Sequence, residues 1–460
     1  MAWRYLPVLR FMCSVSTRRS RRNTLDIEQR GSVADLLHHL RLPMRRLPVS
    51  LVLGLVAFGA ACGGDSPSAP GPNNQLNSCP AAISQSKAMT VLGCGDFKPK
   101  RITGEINVRG NTAYTTTWNN ASPTSAFYMW DVAGNVPTLV DSVTVTGAST
   151  LGDVVVTPDG KYLVVATEYS GGSIVIYSLT NPRSPQLVSR FTNAETNAGV
   201  HTAEVGVVNG KLYAFLCVDP GGGLNPPAKL VIVDITNPAA PQQVYSRVIG
   251  TPYVHDTFLR DGILFLGLWN AGVAIWDLGG GGKGGTPANP VDMGTVQTAN
   301  GHVHNIWWLK DPVTGISRYA FVGEESPGSV GTSSSGDIHV IDVSNMAAPR
   351  EVAFYTVPGA GTHNFSVDEQ NGILYAAYYN GGIRAIDVRG DLGTCTDAQK
   401  SSPVNQAVQL CDLSKMGREL AVGLKDRSNA VFVWGVQFLN GSVYASDMLN
   451  GIWKLSAVSR

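Results

Sequence analysis

Short apolar and β-branched runs of five to seven residues, broken by Asp-Gly, Asn-Gly and Gly-Gly pairs, recur from about residue 100 to residue 455. The unit is plainest from Val254, where VHDTFLRDG is followed by ILFLGLW, NAG, VAIWDL and a Pro-containing turn into another short run. Such runs, joined by tight-turn dipeptides, read as antiparallel strands connected by hairpins.

The units repeat. Leu230 to Pro241 (LVIVDITNPAAP) aligns with Ile338 to Pro349 (IHVIDVSNMAAP) and Ile174 to Pro185 (IVIYSLTNPRSP). Weaker copies stand at Phe127 to Val132, Val273 to Leu278, Ile383 to Val388 and Ile452 to Leu455, giving seven copies roughly 45 to 70 residues apart. Seven units of four strands predict an all-β fold, a seven-bladed β-propeller of four-stranded antiparallel blades. The phrase LVIVD at Leu230 to Asp234, followed by ITNPAAP, resembles the LVIVD repeat of bacterial and archaeal cell-surface proteins. That resemblance covers about residues 100 to 455 and implies propeller blades; it implies little about activity.

The last unit ends after its third strand, which would leave an unpaired edge. The strand-like segment Lys87 to Leu92, or a neighbour between Cys79 and Ile106, is expected to supply the fourth strand and close the ring. The domain is expected to span residues 79–460, with a polar insertion at 390–428.

Composition supports many short strands: Gly 51 and Pro 26 are in excess and charged residues are only 15%. The formal charge of +1 hides an asymmetry. The first 61 residues hold ten Arg and three acids; the remainder has 25 basic and 31 acidic residues, a net of −6. That balance excludes the basic footprint of a nucleic-acid binder.

From Met44, two arginines precede the apolar run Leu47 to Ala61 and then Cys62, the order of a secretory signal peptide and too short to span a bilayer. Residues 1–61 are therefore read as leader, with Met44 as the expected true start. Phe58 to Cys62 (FGAAC) resembles the lipobox of bacterial lipoproteins, with Gly59 where that family has Leu. The resemblance implies lipidation at Cys62, and residues 62–78 suit a flexible tether. The expectation is a bacterial cell envelope protein, anchored in the outer membrane by lipid alone, with ordinary secretion as the alternative. Cys79 and Cys94, and Cys395 and Cys411, form candidate short-range disulfides suited to an oxidising compartment.

Counting back along each innermost strand from the turn glycine that ends it brings His201, His255, His304 and His363 to equivalent positions in four consecutive blades, with Asp153 and Trp434 in two others. A propeller gathers these at the mouth of its channel. Several neutral imidazoles around one point suit Zn or Cu, and Asp153, Glu204, Asp256 and His302 are secondary candidates. Alternatively, each His ties its own loop to the adjacent hairpin. No G-x-S-x-G elbow or phosphate-loop order is present. The leading reading is thus a monomeric binding module whose upper face takes a protein, glycan or small ligand; the alternative is a metal-dependent enzyme or metal-binding protein.

Overall fold

The computed structural model describes residues 79, 87–96, 101–118, 125–169, 171–218, 227–249, 253–326, 328–404, 406–425 and 430–459. The leader, Cys62 and the whole 62–78 tether lie outside them. The described residues form seven blades of four antiparallel strands; in blades 1 to 6 the strands run in chain order from the innermost outward, and in blade 7 the first three do. The innermost strands are Thr103–Arg109, Leu151–Val156, Val200–Val208, Asp256–Arg260, Val303–Trp308, Phe365–Asp368 and Val433–Leu439, in blades 1 to 7. Each packs against the next and the seventh against the first, so the ring is closed around a central channel.

Closure is made by Val91–Gly95, which pairs antiparallel with Gly451–Ser456 as the outermost strand of blade 7. The strand begins a few residues beyond Lys87, which instead bridges to Val422 in blade 6. Lys454, on the strand that receives it, donates its ammonium protons to the carbonyls of Val132 and Gly134 in blade 1, both at 2.8 Å. Cys79 is joined to Cys94 and Cys395 to Cys411, while Cys217 is buried and takes part in neither disulfide.

Neighbouring blades hold together through their apolar faces. Phe215 and Ile232 of blade 3, for example, pack with Leu264, Leu266 and Trp276 of blade 4. Each such side chain contributes about 1.5–3 kcal/mol on burial. The turns after the third strands share one device: Asp131, Asp234, Asp277, Asp342 and Asp387 each accept the backbone N–H two residues on. At Asp277 it is elaborated, because the N–H groups of Gly279, Gly281, Lys283 and Gly285 all donate to its carboxylate. The GGGGKGG run, which in sequence reads as a flexible loop, is thus wound around a buried anion, with Gly279, Gly282 and Gly284 at positive φ.

The polar insertion lies between the third strand of blade 6, Ile383–Asp387, and its fourth, Glu419–Gly423, so its final part is itself a blade strand. Within it, Leu410–Asp412 extends the sheet of blade 5 by pairing parallel to Arg350–Tyr355.

Candidate metal centre in the channel

Register shifts at the start of the innermost strands build the site. In blade 3, Val200 pairs with Val218 and Thr202 with Cys217, leaving His201 as an extra residue. The same shift leaves Gly152 extra in blade 2 and Trp434 in blade 7, and in blade 5 sets the pair His304 and Asn305 against the single residue Gly323. A bulge releases its residue from the alternation of the pleat and re-aims the side chain. His255 and His363 stand just ahead of their strands, their backbone N–H groups donating to Gly267 at 2.8 Å and Ala377 at 2.9 Å.

The four imidazoles meet. Nε2 of His201 lies 3.1 Å from Nε2 of His255. Ring centroids are 4.2 Å apart for His255 and His304, and 3.9 Å for His304 and His363. Blade 5 adds a carboxylate from the end of its second strand: Oε2 of Glu325 stands 3.6 Å from Nε2 of His255 and 3.5 Å from Nε2 of His304. The Tyr379 hydroxyl donates to its other oxygen. Glu168 lies 3.0 Å from Nδ1 of His201. Gly152 makes room for it, since a Cβ there would lie 2.6 Å from Oε1 of Glu168 and 2.1 Å from the carbonyl of His201.

Electrostatics keep this cluster poised for a cation. Burial, reinforced by the neighbouring imidazoles, pushes His255, His304 and His363 well below the usual 6.5, so they are neutral and offer lone pairs. Burial pushes Glu325 up to about 7, against the hydrogen bond from Tyr379 and the charge of His201. The ligand atoms of His255, His304 and Glu325 all lie within 4.8 Å of one another, and Nδ1 of His255, His304 and His363 has no hydrogen-bond partner.

A cavity of about 210 Å³ adjoins the cluster, lined by Trp118, Glu168, Tyr169, His201, Glu325, His363 and Trp434. Around it, bulky residues are held in the left-handed region: Tyr169 at φ 61°, Trp269 at 53°, His302 at 59° and Tyr379 at 38°. Such backbone costs of order 1–3 kcal/mol per residue and collects at functional sites. Trp269 is sandwiched between His255 and His302, at centroid distances of 5.0 and 5.1 Å. His302 thus takes a place behind the cluster, against Trp269.

Asp153, Glu204 and Asp256 line a different cavity, about 350 Å³, farther along the channel, together with Glu105. Asp153 was matched by turn counting with the histidines, but Gly152 occupies that level. Blade 2 has a longer turn between Val156 and Leu163 than the two-residue turn of blade 3, which shifts the count. The acids crowd one another. Burial and the Asp153 charge raise Glu105 to about 8, burial and Asp256 raise Glu204 to about 8, and burial and Asp153 raise Asp256 to about 7. Glu325, Glu168 and Glu105 were missed in sequence. The first two follow or end second strands, and aligning the units there instead of at the turn glycine would have set Trp118, Glu168, Trp269, Glu325 and Tyr379 side by side.

Fold and site together define a seven-bladed β-propeller whose channel carries a histidine–carboxylate cluster. The chain bears LVIVD repeats: the model of the LVIVD repeat matches residues 227–246 and 333–357, the third and fourth strands of blades 3 and 5. No curated protein sequence is significantly similar to it. Among solved structures, U3-55K is similar over 80% of this chain and 98% of its own, with 11% identity and a TM-score of 0.51. Sqt1 of Saccharomyces cerevisiae is similar over 79% and 84%, with 12% identity and a TM-score of 0.49. At such identities the first likeness speaks for the fold alone and the second carries no argument.

Proposed function

We propose that this protein is an exported, membrane-tethered binding module of the bacterial cell envelope, whose ligand-binding element is a transition-metal ion held by His255, His304 and Glu325. The supporting observation is spacing. Glu325 stands 3.5 and 3.6 Å from two imidazole nitrogens, too far for hydrogen bonds. It is close to the separation of about 3.3 Å between ligands on a tetrahedron with bonds of 2.0–2.1 Å. His201, whose Nε2 lies 3.1 Å from that of His255, would be the fourth donor of the proposed set, with Glu168 holding its Nδ1 as an outer-shell carboxylate does. Imidazole-rich sets suit Zn or Cu.

The purely structural reading has each His serving its own blade. It is disfavoured because the imidazoles of neighbouring blades face one another and three of them leave Nδ1 without a partner. The adjoining cavity admits a ligand of a few heavy atoms, or one donor group of a larger protein or glycan on the upper face. Export and tethering rest on the signal-like run before Cys62 and on the two disulfides.

Metal analysis of the purified, tag-free protein beside a His255→Ala/His304→Ala variant tests the centre. Stoichiometric Zn or Cu in the wild type, lost in a variant that stays folded, is the expected result. Retention of no metal by either protein after incubation overturns it. Mass spectrometry of the mature N-terminus tests export, and an intact peptide spanning Ala61 and Cys62 sinks the cleavage.

A further inference from the structure

Glu324 and Glu325 are consecutive at the end of one strand. Glu325 joins the histidine cluster, while Glu324 enters a separate group with Asp337 and His339, all three at most 3% exposed. Their ligand atoms lie within 4.8 Å of one another.

The contacts within this group are incomplete as hydrogen bonds. Nε2 of His339 lies 2.9 Å from Oε1 of Glu324, yet the pair is not aligned as a hydrogen bond, and Nε2 has no such partner. Oδ2 of Asp337 is also buried without a partner. A buried carboxylate oxygen left so is destabilising until a donor or a cation satisfies it. The other side of the ring is fully engaged: Nδ1 of His339 is 2.5 Å from Oε1 of Glu351. Without an ion, burial is overcome by the charges of Glu324 and Glu351, which raise His339 to about 10, so a proton stands where the metal would bind. With that proton displaced, Glu351 still holds a proton on Nδ1 and the Nε2 lone pair faces Glu324 and Asp337. Carboxylates fix metal-binding imidazoles in this way. Glu324 is itself steadied by the backbone N–H of Asn300 at 3.2 Å. Glu324 and Asp337 line a cavity of about 410 Å³, so an ion there would be reachable.

From these observations we infer a second metal site, in which Glu324, Asp337 and Nε2 of His339 bind a divalent first-row metal and Glu351 positions the imidazole. Two carboxylates and one imidazole form a mixed oxygen and nitrogen set of the kind taken by Zn²⁺, Mn²⁺ or Fe²⁺. The site differs from the channel centre in chemistry, having one imidazole and two acids, and opens into its own cavity.

The test uses full-chain protein stripped with a chelator and equilibrated with Zn²⁺, with bound metal counted by elemental analysis. Wild type is expected to bind two ions, Asp337→Asn one, His255→Ala/His304→Ala one, and the combined variant none. Because Oδ2 of Asp337 has no partner to lose, the metal-stripped Asp337→Asn protein should melt no lower than wild type but should lack part of the Zn-induced rise. Glu351→Gln should keep the site with affinity weakened about 10–100-fold. Unchanged stoichiometry in Asp337→Asn overturns the inference, as does a lower melting temperature of that variant with metal binding intact. A single ion lost in Asp337→Asn but kept in the histidine variant upholds this site and refutes the channel centre; the reverse pattern refutes this site alone.

Discussion

Replacing Glu204 by Gln should change how stability depends on pH, with a sign and size that follow from the acid-lined part of the channel. In the folded protein the Glu204 carboxyl is raised from 4.5 to about 8, first by burial and then by the charges of Asp256 and Asp153. Below pH 4.5 both folded and unfolded chains hold the proton and its contribution to stability is complete. As pH rises from 4.5 through about 8 the unfolded chain ionises freely while the folded one resists, so that contribution is lost. At about 1.4 kcal/mol per pKa unit the whole loss would be roughly 5 kcal/mol. Glu204 keeps part of its surface on the open channel, and solvent screening there reduces this to about 2 kcal/mol.

Gln cannot ionise, so Glu204→Gln should match wild type at pH 4.5 and exceed it by about 2 kcal/mol at pH 8.5. Urea unfolding followed by tryptophan fluorescence at unit pH steps between these limits measures the gap. Parallel profiles, or a gap that widens toward acid, would refute the reasoning.

Other outcomes follow from features of the fold. Replacing both Cys395 and Cys411 by Ser opens a loop closed across 16 residues, with an expected loss of about 3 kcal/mol in oxidising buffer and none under reduction. Asp277→Ala strands four backbone N–H groups in the glycine loop; a loss of at least about 3 kcal/mol by denaturant titration is expected, together with new amide exchange over residues 279–285. Lys454→Met removes two charged hydrogen bonds that join blade 7 to blade 1, at a cost of about 2–3 kcal/mol in the same titration. A chain beginning at residue 101 lacks the closing strand and should expose the edge of Gly451–Ser456, visible as concentration-dependent association in sedimentation.

The architecture was legible because one period of strands and turns is written seven times, and because a missing fourth strand leaves a countable gap. The histidines were legible because they recur near equivalent turns. What escaped the sequence depends on local irregularity or on long-range apposition. The bulge that leaves Gly152 rather than Asp153 at the histidine level depends on turn length, which the turn glycine alone does not reveal. Glu325 looks like any strand-end acid until the ring brings it between His255 and His304. His339 alternates inside a strand like a core residue, and only the folded sheet shows Glu324 on one side of its ring and Glu351 on the other.

The pairing of Val91–Gly95 with Gly451–Ser456 also sets a timetable for biosynthesis. The first strand made must wait for the last before the ring can close, so a chain emerging from its N-terminus carries an unsatisfied edge through nearly all of its synthesis. The Cys79–Cys94 link joins residues close in sequence and needs no such wait, so oxidation can shape the closing segment before its partner strand exists.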